Sequence, residues 1–241
     1  MSNTVRDALA FVQQQSMEMF EGIREHMWTG MTEQDLARVA ESELQRRGAS
    51  AFWAPTLVSF GKNTVYCHPD FPPTSNTLRE SDIVLMDVGP VIGVAMGDYC
   101  ETLAWGPSHV FDEAIADAKA LQRYAISRIQ PGMPARELYQ ICANWIDERG
   151  YTLRDFLGNV GHSIDTAFAV HGFIDKYNDA PMMGGWTLEP HIAMGPRASR
   201  AEAAKYAARE AGEDVGVFGA KFEDIVFISE SEVELLGHES K

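Results

Sequence analysis

The chain has 241 residues, 45% of them hydrophobic, and this is enough for a buried core in one domain or two small ones. The formal net charge of −15 at pH 7 argues against DNA, RNA or an anionic membrane as partner, because each would require basic patches that do not stand out. We expect a cytoplasmic protein: the N-terminus lacks a signal-peptide stretch, and Cys67, Cys100 and Cys142 show no CxxC spacing, which fits reduced thiols.

The first fifty residues predict two helices. The first runs approximately from Val5 to Trp28, and the second runs from Glu33 to Arg47. Thr32 is a favourable N-cap for the second helix, and Gly48 is a typical stop. The chain therefore opens on a helix pair.

The same helix design returns in the second half of the chain. GMTEQDLARVAESELQRRG begins at Gly30, and GMPARELYQICANWIDERG begins at Gly132. Both segments start with Gly-Met and end with Arg-Gly, although Thr32 caps one helix and Pro134 opens the other. An amphipathic helix from about Phe111 to Ile129 precedes the second copy. Two related helix pairs, each followed by β-rich sequence, predict a pseudo-twofold α+β domain, with coincidence between two capped helices as the alternative.

The segments between and after the helix pairs predict loops and strands. Residues from Phe52 to Asp82 are rich in Pro, Asn, Thr and Ser, so we expect a loop or irregular hairpin before a strand from Ile83 to Val88. The Ala- and Glu-rich segment from Ala198 to Asp214 should be helical or mobile, and the last strands should cover Val215 to Ser229. No composition shift marks a boundary, so we expect residues 1–241 to form a single domain.

Two aspartates lie in a β-rich stretch of unusual character. Asp87 and Asp98 are eleven residues apart in IVLMDVGPVIGVAMGDYCETLAWG, which offers neither carboxylate a nearby cation. Burying an ionised carboxylate without a partner is prohibitively costly. The pair therefore implies a protonated group, a salt bridge from elsewhere in the chain, or a metal ion.

Three more polar residues lie in apolar, strand-like settings downstream: His162, Glu189 and Glu223. Four carboxylates and one imidazole, without cysteine, suit Mn, Fe, Co or Zn better than they suit a thiolate zinc site. Two ions about 3.5–4 Å apart would balance four negative charges better than one ion. For single residues a simpler interpretation stays open, because Glu223 could pair with Lys221, and Glu189 could be an exposed carboxylate at a strand end.

The ordered Asp, Asp, His, Glu, Glu series resembles the pita-bread metallopeptidase family, which contains methionine aminopeptidases, Xaa-Pro peptidases and creatinase. The resemblance implies a pita-bread α+β fold, in which duplicated helix pairs pack on a curved, mainly antiparallel sheet. It also implies a single catalytic domain, because the chain begins almost at the first helix pair. The resemblance covers most of the chain and rests on LMDVG with Asp87, DYCETLAWG with Asp98, Gly-His at His162, TLEP with Glu189 and KFEDIVFIS with Glu223.

The resemblance also implies roles for the five residues. Asp87 would bind one divalent ion, Asp98 and Glu223 would bridge two ions, and the second ion would be held by His162 with Glu189. A hydroxide bridging the ions would be the nucleophile, because two cations lower the pKa of the water between them. Glu189 could also move a proton to the leaving nitrogen.

Other positions concern the substrate. His68 has a counterpart in the family's loop histidine and would hydrogen-bond the substrate or a developing oxyanion. His171 is the nearest candidate for the family's second downstream histidine and would contact the substrate, with a structural or surface role as the alternative. Three positions around the expected site depart from the family pattern. Asp165 stands where a small residue is common, Glu101 where Arg is common, and His191 where Gly is common.

We therefore expect a dinuclear metal hydrolase that cleaves a C–N bond, either an aminopeptidase or an Xaa-Pro-type dipeptidase acting on short peptides. One alternative is a creatinase-like enzyme acting on a small non-peptide amine or guanidino compound. The other alternative is a catalytically inactive binding module of the same fold. A homodimer is common in the family and is the assembly to test.

Overall fold

The computed structural model describes residues 3–66, 71–166, 172–193 and 218–238. Helix α1 spans Asn3–Ile23 and is followed by a short 3-10 helix, and α2 spans Glu33–Arg46. The Thr32 side chain accepts a hydrogen bond from Asp35 N–H, and the Asp35 carboxylate accepts one from Thr32 N–H. This reciprocal pair closes the start of α2, so the predicted cap is confirmed, and α1 ends slightly earlier than expected.

A four-stranded antiparallel sheet follows, with β2 (Asp82–Ile92) at its centre. The strands β1 (Ala49–Phe60), β3 (Ala95–Met96) and β4 (Tyr99–Trp105) all pair with β2. The predicted loop from residue 52 onward is therefore wrong for residues 52–60, which belong to β1. The prolines and polar residues that suggested a loop mostly follow the strand, and register shifts near Pro55 let β1 tolerate that residue.

The second half begins with α3 (His109–Arg128) and α4 (Ala135–Glu148), close to the predicted bounds. Its described strands form two antiparallel three-stranded sheets, one with residues 224–228 in the middle and one with residues 192–193 in the middle. The predicted helical or mobile segment at 198–214 lies outside the described residues. The described strands of the second half are β5 (Thr152–Leu153), β6 (Gly184–Leu188), β7 (Ile192–Ala193), β8 (Gly219–Ala220), β9 (Asp224–Ile228) and β10 (Val233–Leu235).

The two halves repeat the same backbone hydrogen bonds. Leu78 N–H donates to Met31 O at 2.8 Å, and Met182 N–H donates to Met133 O at 2.9 Å. An isolated antiparallel bridge also recurs just before each second helix, at Thr32 with Thr77 and at Pro134 with Pro181. The predicted pseudo-twofold arrangement of two helix pairs with antiparallel strands is therefore confirmed, and coincidence between the two helices no longer accounts for it.

The halves meet between β4 and the residue that precedes β9. Cys100 and Glu223 exchange both backbone hydrogen bonds, at 3.4 Å and 2.9 Å. Each half packs its own hydrophobic cluster, with Leu36 and Met86 in the first and Leu138 and Val226 in the second. The seam between the clusters is where the polar residues collect. Among the described helices, none has the length and apolar character needed to cross a bilayer.

Candidate metal centre

The first half contributes two buried carboxylates from adjacent elements of one sheet. Asp87 lies within β2 opposite Cys100 of β4, and Asp98 lies in the two-residue break between β3 and β4. Both are 4% exposed. Because β2 is paired on both sides, its backbone is held firmly, and the two carboxylates face the seam with little freedom.

The second half contributes its side chains from three separate segments. His162 follows Gly161, where a Cβ atom would lie 2.1 Å from the carbonyl oxygen of Thr187. Glycine is therefore required for this close approach. His162 N–H donates to the Thr187 hydroxyl at 3.1 Å, and Thr187 N–H donates to His162 O at 2.7 Å. Glu189 follows β6, and Glu223 precedes β9.

Three of the predicted ligands converge: the ligand atoms of Asp98, His162 and Glu223 all lie within 4.8 Å of one another. His162 Nε2 is 3.1 Å from Asp98 Oδ2 and 3.7 Å from Glu189 Oε1. Its other ring nitrogen, Nδ1, lies 3.0 Å from the carbonyl oxygen of Ser163 and donates to it. This contact fixes the ring so that Nε2 points at the carboxylates.

The cationic partner of the other carboxylates is Lys221, whose side chain is 3% exposed. Its Nζ atom lies 2.7 Å from Asp87 Oδ2, 2.7 Å from Glu189 Oε2 and 3.1 Å from Glu223 Oε2. A salt bridge from elsewhere in the chain therefore does compensate Asp87. Glu189 is not an exposed strand-end carboxylate, since its side chain is only 12% exposed and is held by Lys221.

Burial and mutual charge shift the protonation of this cluster. Burial raises the pKa of Asp98 to about 6, although the hydrogen bond from His162 opposes that rise. Burial alone would lower the pKa of His162, but the hydrogen bond to Asp98 together with the charges of Asp98 and Glu189 outweighs burial and raises that pKa to about 9. Burial, followed by the charges of Asp98 and Glu189, raises the pKa of Glu223 well above its usual value. At pH 7 the His162 imidazolium therefore pairs with Asp98, while Lys221 pairs with Asp87 and Glu189.

The donor set fits a divalent cation. Glu223 Oε1 is buried without a hydrogen-bond partner among the described residues, whereas Oε2 forms an ion pair with Lys221 at 3.1 Å. A buried acceptor without a partner costs free energy unless a cation or a donor satisfies it. Oxygen atoms from Asp98 and Glu223 with Nε2 of His162 match the ligands that Mn, Fe, Co and Zn accept. The sequence pattern missed that Lys221 also contacts Asp87 and Glu189, although it did note Lys221 beside Glu223.

Aromatic side chains form the wall beside His162. Trp53 packs edge-on against the imidazole with 5.6 Å between ring centroids, and its Nε1 donates to Gly97 O at 2.7 Å. Phe173 approaches the same ring at 6.3 Å. Together these contacts keep the imidazole in an apolar setting on the side away from the carboxylates.

His191 is buried near the cluster and is 1% exposed. Its Nε2 lies 2.8 Å from Thr64 O, to which it donates, and burial together with the charge of Lys221 lowers its pKa to about 3. His191 is therefore neutral at pH 7. The predicted substrate contacts His68 and His171 lie outside the described residues.

Comparisons with known proteins agree with this geometry. A sequence model described as metallopeptidase family M24 matches residues 6–230. A curated Xaa-Pro dipeptidase from Lactobacillus helveticus is 30% identical over 177 residues, which is 72% of this chain and 46% of that protein. The chain thus spans about half the length of the curated relatives it matches.

Two solved structures illustrate the shared fold. An Xaa-Pro dipeptidase from Bacillus anthracis superposes with a TM-score of 0.82 at 20% identity, covering 100% of this chain and 62% of the other. A methionine aminopeptidase from Thermotoga maritima superposes with a TM-score of 0.76 at 20% identity, covering 99% and 98%. The predicted pita-bread α+β fold, with its duplicated helix pairs, is confirmed.

Proposed function

Because the chain belongs to metallopeptidase family M24, we propose that it is a metal-dependent peptidase of the Xaa-Pro dipeptidase or aminopeptidase type. The observation that carries this proposal is the buried Glu223 carboxylate beside Asp98 and His162, whose Oε1 has no hydrogen-bond partner among the described residues. A site that kept only the fold and had lost its chemistry would have no reason to retain so costly an arrangement.

We assign two ion positions to the five predicted ligands. Asp98, His162 and Glu223 would hold the first cation, and Glu189 Oε1 lies 3.7 Å from His162 Nε2. Asp87 would hold the second cation together with Asp98 and Glu223. When bound, the cations supply Lewis-acid polarisation of the scissile carbonyl and lower the pKa of water. Their identity among Mn, Fe, Co and Zn depends on cellular supply as much as on ligand type.

Residues around the cluster orient the side chain of His162 and exclude water from it. The Ser163 carbonyl sets the ring of His162, and Trp53 shields that ring from water. Glu189 directs one oxygen towards His162 and the other towards Lys221, so its carboxylate is placed to hold a proton and pass it to the leaving nitrogen. We propose His68 and His171 as the side chains that contact the substrate.

The substrate proposal rests on the relatives that are named Xaa-Pro dipeptidases. The test is turnover by the metal-loaded protein on a panel of Xaa-Pro dipeptides and longer Xaa-Pro peptides, beside peptides with N-terminal Met and a library of small amines and guanidino compounds. Cleavage confined to Xaa-Pro bonds is expected. Turnover of only the small amines would favour the creatinase-like alternative, and turnover of nothing, with no metal bound, would favour the binding module.

Some predictions about the cellular setting accompany this function. We propose a reducing, cytoplasmic compartment, because Cys100 and Cys142 are buried free thiols. A single catalytic domain over residues 1–241 and a homodimer stay predictions, which size-exclusion chromatography with light scattering and limited proteolysis would test.

A further inference from the structure

A short 3-10 helix, Gly61–Val65, follows β1 in the first half of the chain. Thr64 and Val65 at its end are buried, and the chain then continues towards His68, which we propose as a substrate contact. A buried backbone carbonyl costs free energy unless a donor reaches it. The segment 61–66 therefore depends on donors from other parts of the molecule to hold its end in place.

The second half supplies these donors. His191 Nε2 donates to Thr64 O at 2.8 Å, and Gly219 N–H donates to the Thr64 hydroxyl at 2.8 Å. Arg154 Nε donates to the next carbonyl, Val65 O, at 3.2 Å. Arg154 N–H also donates to His191 O at 2.9 Å, so the donors are tied to each other. We call His191, Arg154 and Gly219 the clamp.

The side chain of His191 serves this contact alone in the part of the chain that the structure describes. The residue is 1% exposed, and its Nδ1 atom has no hydrogen-bond partner among the described residues. A glycine, which is common at this position in the family, would bring no side-chain donor to Thr64 O. His191 is therefore a feature that this chain adds to the seam between its halves.

Gly219 shows how closely the two halves approach at the clamp. A Cβ atom at Gly219 would lie 2.4 Å from Thr64 O and 2.6 Å from His191 Nε2. Glycine is required where the backbone comes this close to a carbonyl and an imidazole. The clamp donates to Thr64 and Val65 and not to the side chains of the five proposed metal ligands. Loosening the clamp should therefore move the segment without removing a ligand.

We propose that His191 is a positioning residue for substrate binding. Through Thr64 O it holds the segment 61–66 against the second half, and so it fixes the point from which the chain continues to the proposed substrate contact. This inference rests on the proposed peptidase function and adds a determinant of substrate affinity to it. His191 acts through Thr64 and does not touch the substrate.

The first test is His191→Leu, which keeps an apolar side chain of similar size and removes the donor. With the metal-loaded protein and the peptide that the wild type cleaves best, we expect KM to rise about tenfold and kcat to change by less than about threefold. Elemental analysis should find unchanged metal content. His191→Gln can place an amide N–H near the position of Nε2 and should restore most of the wild-type KM.

A glycine variant reaches the same contact by another route. Gly219→Ala removes no donor but forces Thr64 O and the imidazole of His191 apart, so it should raise KM with unchanged metal content. Gly22→Ala is the matched control, because a Cβ at Gly22 on α1 meets no atom within 4 Å. It should leave KM unchanged.

Hydrogen exchange of the metal-free proteins gives a readout that needs no turnover. Tyr66 N–H donates to Asn63 O at 3.1 Å at the end of the segment, and Leu36 N–H in α2 donates to Thr32 O at 3.1 Å. In His191→Leu the Tyr66 amide should exchange at least about tenfold faster than in the wild type, while the Leu36 amide should not change. A general loss of stability would instead speed both amides.

Each outcome has a separate meaning. An unchanged KM or an unchanged Tyr66 exchange rate in His191→Leu would overturn the inference, and Gly219→Ala decides in its place if that variant fails to fold. A fall in kcat as large as the fall in kcat/KM would place His191 in the chemistry and overturn it as well. In these cases turnover by the wild type leaves the proposed function standing. If the metal-loaded wild type cleaves no peptide, the proposed function falls and the inference falls with it.

Discussion

The two halves of the molecule share a helix pair but supply the site in different ways. The first half presents Asp87 and Asp98 from one sheet whose main strands have 12, 11 and 7 residues. The second half presents His162, Glu189 and Glu223 from three segments beside strands of at most five residues. The first half therefore supplies two carboxylates on a sheet of long strands. The second half supplies two carboxylates and the two cationic side chains, His162 and Lys221, and it depends on close backbone contacts to place them.

Removing a carboxylate of the first half should have the largest effect. Asp98→Ala takes one oxygen ligand from the cluster and the hydrogen-bond partner from His162. We expect kcat/KM to fall by at least about 10³-fold, or about 4 kcal/mol, together with metal content. Steady-state kinetics and elemental analysis measure the two losses. Asp179→Ala removes an exposed carboxylate that pairs with Arg136 and should change neither quantity. Full metal occupancy with full turnover in Asp98→Ala would contradict its assignment.

The glycines that precede a ligand in each half should respond unequally to substitution. A Cβ at Gly161 would lie 2.1 Å from the backbone oxygen of Thr187, whereas a Cβ at Gly97 would lie 2.6 Å from the Val12 side chain. A side chain can turn away, but the paired backbone cannot. Gly161→Ala should therefore cost about 3 kcal/mol of unfolding free energy, and Gly97→Ala about 1 kcal/mol, measured by urea unfolding of metal-free protein. Equal losses of unfolding free energy in the two variants would mean that the backbone around Gly161 shifts more easily than its contacts indicate.

The start of the second helix in each pair differs in a buried carboxylate. Glu33 in α2 is 0% exposed, and its counterpart in α4 is Ala135, also 0% exposed. Glu33 Oε1 accepts from Phe60 N–H at 2.8 Å, and Oε2 accepts from Thr74 N–H at 2.9 Å. The carboxylate thus ties the end of β1 to the loop that precedes β2. In the second half no such tie is present at Ala135.

Glu33→Gln should test that difference. The new amide nitrogen must face one of the backbone donors that the carboxylate satisfied, so we expect a loss of about 2 kcal/mol in unfolding free energy. Chemical denaturation measures it. Glu137→Gln, at an exposed position in the first turn of α4, is the matched control and should change stability by less than about 0.5 kcal/mol. A Glu33→Gln protein as stable as the wild type would show that the tie contributes nothing.

Local signals in the sequence predicted most of the helices and all of the converging carboxylates. The Thr32 cap and the Gly48 stop are local features, and the structure has α2 where they place it. The strand β1 was missed because its apolar end, with buried Leu57 and Phe60, runs directly into a loop rich in proline and polar residues. There the burial that tertiary packing provides outweighed the local composition.

The electrostatics of the site could be predicted only in part. Lys221 was visible beside Glu223, but its contacts with Asp87 and Glu189 join residues that are 134 and 32 positions apart. Such contacts depend on how the two halves dock, and no periodicity encodes that docking. The neutral state of His191 is likewise set by its burial and by the charge of Lys221, both of which are tertiary properties.

The smallest effect that we predict lies at the helix starts themselves. Thr32 Oγ1 accepts from Asp35 N–H at 3.0 Å, while Pro134 begins α4 without a side-chain cap. Thr32→Ala should therefore cost about 1 kcal/mol in unfolding free energy. Pro134→Ala should cost less than that, since it removes only the restriction that proline places on the unfolded chain. Urea unfolding of both variants measures the difference, and a larger loss in Pro134→Ala would mean that the ring, rather than a cap, holds the second helix start in place.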